Sequence, residues 1–230
     1  WFIQTTDDVD GTYSYVFTLF EERPPADIEK MAVILNQLNG KLPVAAPLAV
    51  IESNSSQTDG DDKRYVIHYE DKAITLVPCL AGSHPDQTTQ AMCHDIGAAL
   101  AMLHETLQAL QPSLQKGEAR LTGLLDFTEV SVEHYVMDIA ITINDFCTTW
   151  GVAEQGESVN FDRSKMAAFL QGYESIRPLN NDENRALPVM LAKAAVIFWL
   201  LRLNVIHYNR TEGRTGDNIM VKNPDLMKRL

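Results

Sequence analysis

Asp126 is the residue of this chain whose type and position could most directly do chemistry. It ends the apolar run Leu121-Thr122-Gly123-Leu124-Leu125 and is followed by Phe127. A carboxylate at the end of a buried strand can hold a divalent cation, because hard cations take oxygen ligands from fixed carboxylates. On the dipeptide alone, a turn-forming Asp after a strand is the simpler interpretation.

A helix with two faces is predicted downstream, over residues 133–150. Asp138 and Asp145 lie roughly 10.5 Å apart along its axis, at 1.5 Å per residue, so one cation cannot join them. Asn144 and Asp145 could meet a small polar substrate, although a solvated helix face also explains them. The apolar stripe contains Ile139, Ile143, Phe146 and Trp150, and the polar face contains Asp138, Thr142, Asp145 and Thr149.

The composition restricts the class of protein. The chain has 230 residues, of which 45% are hydrophobic and 22% are charged, as in an ordinary globular protein. A net charge of −12 argues against a nucleic-acid partner, whose phosphates require Lys and Arg contacts. The 3 cysteines form no Cys-x-x-Cys pair, so neither a disulfide framework nor a zinc site is expected. A reducing cytoplasm is the simplest compartment, and the longest apolar run, 194–201, is too short to cross a membrane.

The first part of the chain predicts a small antiparallel sheet with one helix. Two strands flank a turn at residues 7–11, and the first begins at Trp1, so the chain is predicted to be incomplete at its N-terminus. Further strands are predicted over 48–52, 65–69 and 73–77. The helix begins at Pro24-Pro25 and ends at Gly40, and its apolar face contains Ile28, Met31, Ile34, Leu35 and Leu38.

A change of pattern at Pro78 predicts a boundary between two lobes. Strand-like alternation gives way there to long helical periods, including a stripe of Met92, Ile96, Leu100, Leu103 and Leu107. We therefore predict a two-lobed α+β fold, with a sheet lobe at 1–77 and a mainly helical lobe at 78–230. A later helix, with Leu191, Ala195, Phe198, Leu201 and Val205 inward, should be interrupted or kinked near Pro188.

The hairpin predicted around Gln115 lacks one of its two strands. Residues 115–119 predict a hairpin turn leading to Asp126, but a hairpin needs a strand on its other side. No strand pattern lies between Leu110 and Gln115. We infer that a segment is missing between Leu114 and Gln115, either by genuine deletion or by omission.

The runs 121–127 (Leu-Thr-Gly-Leu-Leu-Asp-Phe) and 137–147 (Met-Asp-Ile-Ala-Ile-Thr-Ile-Asn-Asp-Phe-Cys) are followed by distinctive runs at 169–179 and 198–203. Together with 15–21 and 42–44, they resemble the bacterial homoserine kinases of the aminoglycoside-phosphotransferase-like superfamily. The resemblance implies a protein-kinase-like fold whose sheet lobe binds nucleotide. It also implies transfer of phosphate from ATP to the hydroxyl of L-homoserine, giving O-phospho-L-homoserine for threonine biosynthesis, with Mg²⁺ as cofactor.

The resemblance also implies roles for individual residues. Asp126 would ligate magnesium, and Asp138 resembles the acid that braces the catalytic loop. The backbone at Val77, Pro78 and Leu80 would meet the adenine, although a plain connector between strand and helix explains that segment equally well. The family's catalytic base and its Asn partner would fall in the missing segment, so they carry no number here.

The sequence allows two interpretations for each of two basic side chains. Arg202 lies in apolar sequence, where it could snorkel to solvent or bind an anion such as the substrate carboxylate. His104 could be structural or catalytic. At the level of function, a choline or aminoglycoside kinase of the same superfamily and a non-catalytic nucleotide-binding relative remain open, because fold alone does not decide among them.

Overall fold

The structure is a computed structural model, and it divides the chain into two compact units, Trp1–Ser83 and His84–Leu230. Each unit is described by itself below. The sequence pattern places the boundary at Pro78, which the structure includes in the last strand of the first unit. The residues described are 2–7, 11–21, 23–51, 63–80, 85, 87–114, 134–150, 159–211, 213 and 223–229.

The first unit contains a four-stranded antiparallel sheet with the strand order β1-β2-β4-β3. The predicted N-terminal hairpin is confirmed, since β1 pairs with β2 from Phe2 opposite Val16 to Asp7 opposite Gly11. Strand β2 then pairs with β4, with Phe17 opposite Leu76. The strands are β1 (Phe2–Asp7), β2 (Gly11–Phe20), β3 (Ile67–Tyr69) and β4 (Lys72–Pro78).

Helix α1 (Pro25–Leu38) lies between β2 and β3 in the chain. All five residues of its predicted apolar face are buried, which confirms that face. The chain leaves the helix through Gly40, whose φ of 80° suits glycine. The strand predicted over 48–52 is wrong for its described residues. Leu48 N–H donates to Leu76 and Val50 N–H to Arg64, so the two bonds go to different segments and form no ladder.

The second unit is mainly helical. A short hairpin of β5 (Thr148–Thr149) and β6 (Asn160–Phe161) lies within it, and a 3₁₀ helix (Pro224–Arg229) follows its last α-helix. The α-helices are α2 (Gln90–Leu114), α3 (Tyr135–Phe146), α4 (Arg163–Glu174) and α5 (Asn181–Thr211).

Two glycines allow α2 and α4 to pack with their backbones in contact. A Cβ on Gly97 would lie 2.1 Å from the carbonyl oxygen of Phe169, and one on Gly172 would lie 1.9 Å from that of His94. No side chain can occupy such a gap, so glycine at both positions lets the helices approach this closely. Phe169 and Tyr173, the largest fully buried side chains, lie on α4 at this contact.

Three helical predictions need correction. Helix α3 ends at Phe146 rather than at 150, because Thr148 pairs with Phe161 in the β5–β6 hairpin. On α2 the stripe is confirmed at Leu100, Leu103 and Leu107, which are buried, but not at Met92, which is 36% exposed. Leu201 and Val205, predicted to face inward, are exposed. Helix α5 continues through Pro188 without the predicted interruption, and the alternative of a kink there stays a prediction.

Helix α5 is long and apolar enough, by length and composition alone, to cross a membrane, and 11% of its most apolar window is buried. The sequence prediction considered only its longest uninterrupted apolar run. Core helices of soluble proteins can meet the same two criteria, so one such helix is weak support for a membrane span. The expected lack of a membrane partner stays a prediction.

Candidate active site

A chain of buried polar side chains joins α2, α3 and α4. His104, on α2, is fully buried. Its Nδ1 lies 2.7 Å from the Tyr173 hydroxyl, and its Nε2 lies 3.2 Å from Oδ2 of Asp138. Packing of α2 against α4 brings His104 to Tyr173, while Asp138 approaches from the first turn of α3.

The donor groups fix the direction of the hydrogen bonds that link these side chains. An Arg177 guanidinium N–H donates to the Tyr173 oxygen over 3.1 Å. The tyrosine can then donate its own proton to Nδ1 of His104, which leaves the Nε2 proton for Asp138. Burial raises the pKa of Tyr173 well above its ordinary value, more than the nearby Arg177 charge lowers it, so the hydroxyl keeps its proton. The result is a fixed path of donors ending on the Asp138 carboxylate.

Arg177 is held by a second acid and by two aromatic rings. It donates to both carboxylate oxygens of Glu183, over 2.7 and 3.3 Å. Its guanidinium lies 4.5 Å from the ring centroid of Tyr135 and 5.9 Å from that of Tyr173. Burial alone would lower the pKa of Arg177, but the hydrogen bond to Glu183 and the neighbouring groups outweigh it and raise the pKa.

Glu183 also connects these hydrogen-bonded side chains to the start of α5. Its carboxylate accepts from the backbone N–H of Asn180, while the Asn180 side chain accepts from the N–H groups of Asp182 and Glu183. This is a reciprocal capping box. The start of α5 and the buried chain therefore share one carboxylate.

Asp138 is the predicted site residue that the structure joins to this chain. Its side chain is 15% exposed, so it is largely withdrawn from solvent. Asp138 lies in the first turn of α3, and residues 115–133, which precede that helix in the chain, lie outside the described ones. Asp126 also lies outside the described residues, as does the junction of Leu114 and Gln115.

The predicted adenine contacts lie at the end of β4. Val77 pairs with Val16, and Pro78 with Tyr15, both on β2. The strand pairing continues one residue further, where the Cys79 N–H donates to the carbonyl of Ser14. Leu80 follows and is 53% exposed. These residues thus form the exit from the sheet of the first unit.

The predicted substrate residues have separate environments. Asn144 is buried and donates to the carbonyl of Leu191 on α5. Asp145 is exposed. The Arg202 guanidinium lies 5.2 Å from the Trp150 ring centroid and donates to the carbonyl of Asn223 over 3.2 Å. Asn144 and Arg202 each have a protein partner, and adjacent Asn144 and Asp145 do not share a surface.

A pocket of about 490 Å³ lies between α3, α5 and the 3₁₀ helix. Asn144, Leu191, Trp199 and Met227 contribute to its mostly apolar lining. The indole Nε1 of Trp199 is buried and has no hydrogen-bond partner among the described residues. Those residues also contain no group of three His, Cys, Asp or Glu side chains that could hold a metal ion.

Sequence reasoning missed Arg177 and Glu183 and assigned Tyr173 only to a helix core. Arg177 follows Tyr173 by four residues, and Glu183 occupies the third position after the helix cap Asn180. Those spacings could have indicated an ion pair and a capping box. The bonds of His104 to residues 34 and 69 positions away carry no local signal.

Comparison with known proteins identifies the family of the chain. A profile of the phosphotransferase enzyme family (APH) matches residues 1–121, more than half of the chain. The chain belongs to this phosphotransferase family. It also aligns with the homoserine kinases of Methylobacillus glycogenes (25% identical, covering 96% of this chain and 81% of that protein) and Methylobacillus flagellatus (24%, covering 94% and 79%).

Solved structures agree with the family in fold. The amicoumacin kinase hAmiN, in complex with AMP-PNP, Ca²⁺ and Ami, has a TM-score of 0.60, with 14% identity over 99% of this chain and 83% of its own. An aminoglycoside phosphotransferase from Alicyclobacillus acidocaldarius gives 0.54, with 12% identity over 98% and 83%. The predicted fold class is confirmed. This phosphotransferase is an ATP-dependent small-molecule kinase with a kinase-like fold of a small antiparallel sheet and a larger helical part.

The alignments with the two homoserine kinases also contain a length difference. The first runs over 278 positions but covers 96% of 230 residues, so about 57 of its positions have no counterpart in this phosphotransferase. The second, with 274 positions over 94%, gives about 58. A difference of this size is large enough to contain a catalytic loop.

Proposed function

We propose that this kinase is a homoserine kinase. It transfers the γ-phosphoryl group of ATP to the hydroxyl of L-homoserine, giving O-phospho-L-homoserine for threonine biosynthesis in the cytoplasm. The observation that carries the proposal is the alignment with two homoserine kinases over at least 94% of this chain and at least 79% of theirs. Because the likeness spans most of both proteins, it includes the helical part, which in this proposal supplies the acceptor site.

In this proposal, Asp126 holds magnesium. A lone carboxylate at the end of an apolar run is a hard oxygen donor of the kind that Mg²⁺ accepts, and Mg²⁺ is commonly held by one or two carboxylates together with substrate phosphates. When bound, magnesium neutralises charge on the transferred phosphate.

Asp138 acts in this proposal as a positioning residue. His104 occupies one of its oxygens, Oδ2, through the donor path from Arg177 and Tyr173. A carboxylate held in this way can present its remaining acceptor capacity in a fixed direction to the backbone of a catalytic loop. The catalytic base itself belongs to the segment inferred to be missing between Leu114 and Gln115.

The nucleotide and acceptor contacts in this proposal come from the end of β4 and from the helical unit. Val77 and Pro78 are the last paired residues of β4, and Leu80 lies just beyond the ladder. In this proposal, backbone groups of this segment meet the adenine edge. For homoserine, exposed Asp145 could meet the ammonium group, and Arg202 the carboxylate. Asn144 would have to release the Leu191 carbonyl to bind substrate. The apolar pocket beside Asn144 has the wrong chemistry for so polar an acceptor, so we do not place homoserine there.

The test measures ADP release in a coupled assay with L-homoserine, choline and an aminoglycoside as acceptors. The 230-residue chain and the protein encoded by its complete gene are assayed in parallel, with Mg²⁺ and with excess chelator. We expect the complete protein to use homoserine with a kcat/KM at least 100-fold above that for the other acceptors. Chelator should abolish the reaction.

The alternative functions give different results. Preference for choline or the aminoglycoside would assign a different acceptor within the same superfamily and overturn the homoserine proposal. Nucleotide binding without turnover of any acceptor by the complete protein would indicate a non-catalytic relative. Turnover of homoserine by the 230-residue chain would support the acceptor but contradict the location of the base in a missing segment.

A further inference from the structure

A line of exposed residues runs along α5 at alternating three- and four-residue spacing. Its apolar members are well exposed: Val189 at 66%, Val196 at 50%, Leu200 at 54% and Leu203 at 39%. Two exposed polar residues continue the same spacing. We call this line the α5 stripe, and it comprises Val189, Lys193, Val196, Leu200, Leu203 and His207.

The spacing of the α5 stripe is that of a seam between two helices. Alternating steps of three and four residues keep side chains on one side of a helix, where they can pack into a facing helix. The stripe spans residues 189–207, about 27 Å at 1.5 Å per residue. Helix α3 and the 3₁₀ helix pack on α5. We infer that the stripe is shaped for one more helix.

The positions of the stripe favour a second copy of α5 as that helix. They are symmetric about residue 198, so two antiparallel copies related by a two-fold axis place every stripe residue opposite another stripe residue. Val196 then faces Leu200 of the other copy, and Lys193 faces Leu203, where the lysine stem can cover the leucine and its ammonium group can reach solvent.

Charge at the ends of α5 supports the antiparallel direction. The first turn carries the acidic residues Asp182, which pairs with exposed Arg185, and Glu183, which is bound to Arg177. The last turn carries Arg210. Antiparallel pairing about residue 198 puts Arg210 opposite position 186, one turn from Asp182 of the other copy. Antiparallel helices also place the negative C-terminal end of one macrodipole beside the positive N-terminal end of the other.

We propose that this kinase forms a homodimer in which the α5 stripes of two copies pack antiparallel about a two-fold axis that passes between Val196 and Leu200. The partner is therefore another copy of the same chain. This proposal is independent of the acceptor that the kinase uses.

Sedimentation of the full chain tests the interface with a matched pair of variants. Leu200→Glu places a charge in the seam, whereas Leu201→Glu makes the same change at a neighbouring residue that is 50% exposed but points about 100° away. We expect the wild type and Leu201→Glu to sediment as dimers, and Leu200→Glu to raise the dimer dissociation constant at least tenfold. Thermal melting checks that both variants fold.

Cross-linking tests the direction of the pairing in a Cys79→Ser background, which removes the exposed native thiol. A mixture of Lys193→Cys and Leu203→Cys proteins should form a mixed disulfide under mild oxidation. Val189→Cys alone should not cross-link to itself, because antiparallel pairing separates the two copies of that residue by roughly 27 Å. Disulfides require Cα atoms within about 7 Å.

Several results would overturn the proposal. Self-cross-linking of Val189→Cys would indicate a parallel pair, and equal dissociation by Leu200→Glu and Leu201→Glu would mean that the stripe is not the seam. A monomer at 100 µM would leave the stripe to another occupant. Flotation of that monomer with phospholipid vesicles would identify a membrane surface, and protection of Val189→Cys from thiol reagents would identify another part of the chain.

Discussion

The Tyr173 hydroxyl joins three buried side chains, so its removal should be costly. In Tyr173→Phe, Nδ1 of His104 and one Arg177 N–H lose their partner. Leaving a buried polar group unpaired costs roughly 1–3 kcal/mol, and we expect the free energy of unfolding, measured in urea, to fall by that amount. Tyr69→Phe removes the same hydroxyl at a residue that is 60% exposed and should change stability by less than about 0.5 kcal/mol. Equal losses of stability in the two variants would contradict the buried hydrogen bonds of Tyr173.

The protein should lose stability in alkali. Burial, assisted by the neighbouring Cys93, raises the pKa of Cys147 from 9.0 to about 12, and burial also raises that of Tyr173. In the unfolded chain the thiol loses its proton above about pH 9 and the phenol above about pH 10, whereas the folded chain keeps both. The stabilisation is therefore complete below pH 9 and is lost as the pH rises towards 12, by up to about 1.4 kcal/mol per pH unit for each group.

Urea unfolding at pH 8, 10 and 11 measures this slope. Cys147→Ala removes one of the two groups, so its stability should decline less steeply with pH than that of the wild type. An unchanged slope in Cys147→Ala would show that this thiol does not contribute to alkaline unfolding.

Asp126→Asn tests the metal assignment, since it keeps the shape of the side chain and removes its charge. We expect phosphotransfer by the complete protein to fall by orders of magnitude, because magnesium loses its carboxylate ligand. The melting temperature without ligand should stay close to that of the wild type. Near-normal turnover in Asp126→Asn would return Asp126 to the role of a turn-forming residue.

At the scale of elements, the contact between α2 and α4 depends on two glycines. A Cβ at Gly172 would lie 1.9 Å from a backbone oxygen that cannot rotate away. We expect Gly172→Ala to lower the free energy of unfolding by about 3 kcal/mol, at the upper end of typical overpacking costs. Gln171→Ala introduces the same side chain at the preceding, exposed position and should change stability by less than about 0.5 kcal/mol. Similar unfolding curves for the two variants would refute the close contact.

Local signals in the sequence predicted the elements that local bonds define. Asp is a preferred helix-capping residue, and the Asp162 side chain at the start of α4 accepts from the N–H groups of Ser164 and Lys165. The end of α3 was missed because it depends on Thr148 pairing with Phe161 across the chain. Leu201 and Val205 were placed inside because their periodicity indicates an apolar face but cannot indicate what covers it.

The candidate site also contains features that the sequence could indicate and features that depend on contacts between distant residues. Asp138 could be singled out because the run around it resembles a known family, yet its bond to His104 joins residues 34 positions apart. Arg177 looked like an ordinary residue before a proline. Its position between two rings and Glu183 follows from the packing of α4 and the cap of α5, which no single segment encodes.

At the scale of the whole molecule, the junction of Leu114 and Gln115 can be examined directly. The alignment lengths leave about 57 positions without a counterpart in this chain. We expect the protein isolated from its native source to contain additional residues at this junction, including a His-x-Asp sequence. Tandem mass spectrometry of tryptic peptides is the measurement. A peptide in which Leu114 is bonded directly to Gln115 and which ends at Lys116 would show that the deletion is genuine.

The number of residues between α2 and α3 has a consequence for how such a segment could be gained or lost. Only 20 residues separate the end of α2 from the start of α3, so an insertion of as many as 57 or so would lengthen that connection almost fourfold. Chain-closure entropy grows with the logarithm of length, at about 0.6 kcal/mol per doubling. The longer connection would therefore disfavour folding by only about 1.2 kcal/mol. The helical unit can thus assemble almost equally well with either length, so catalytic machinery carried between α2 and α3 could change while the scaffold stays the same.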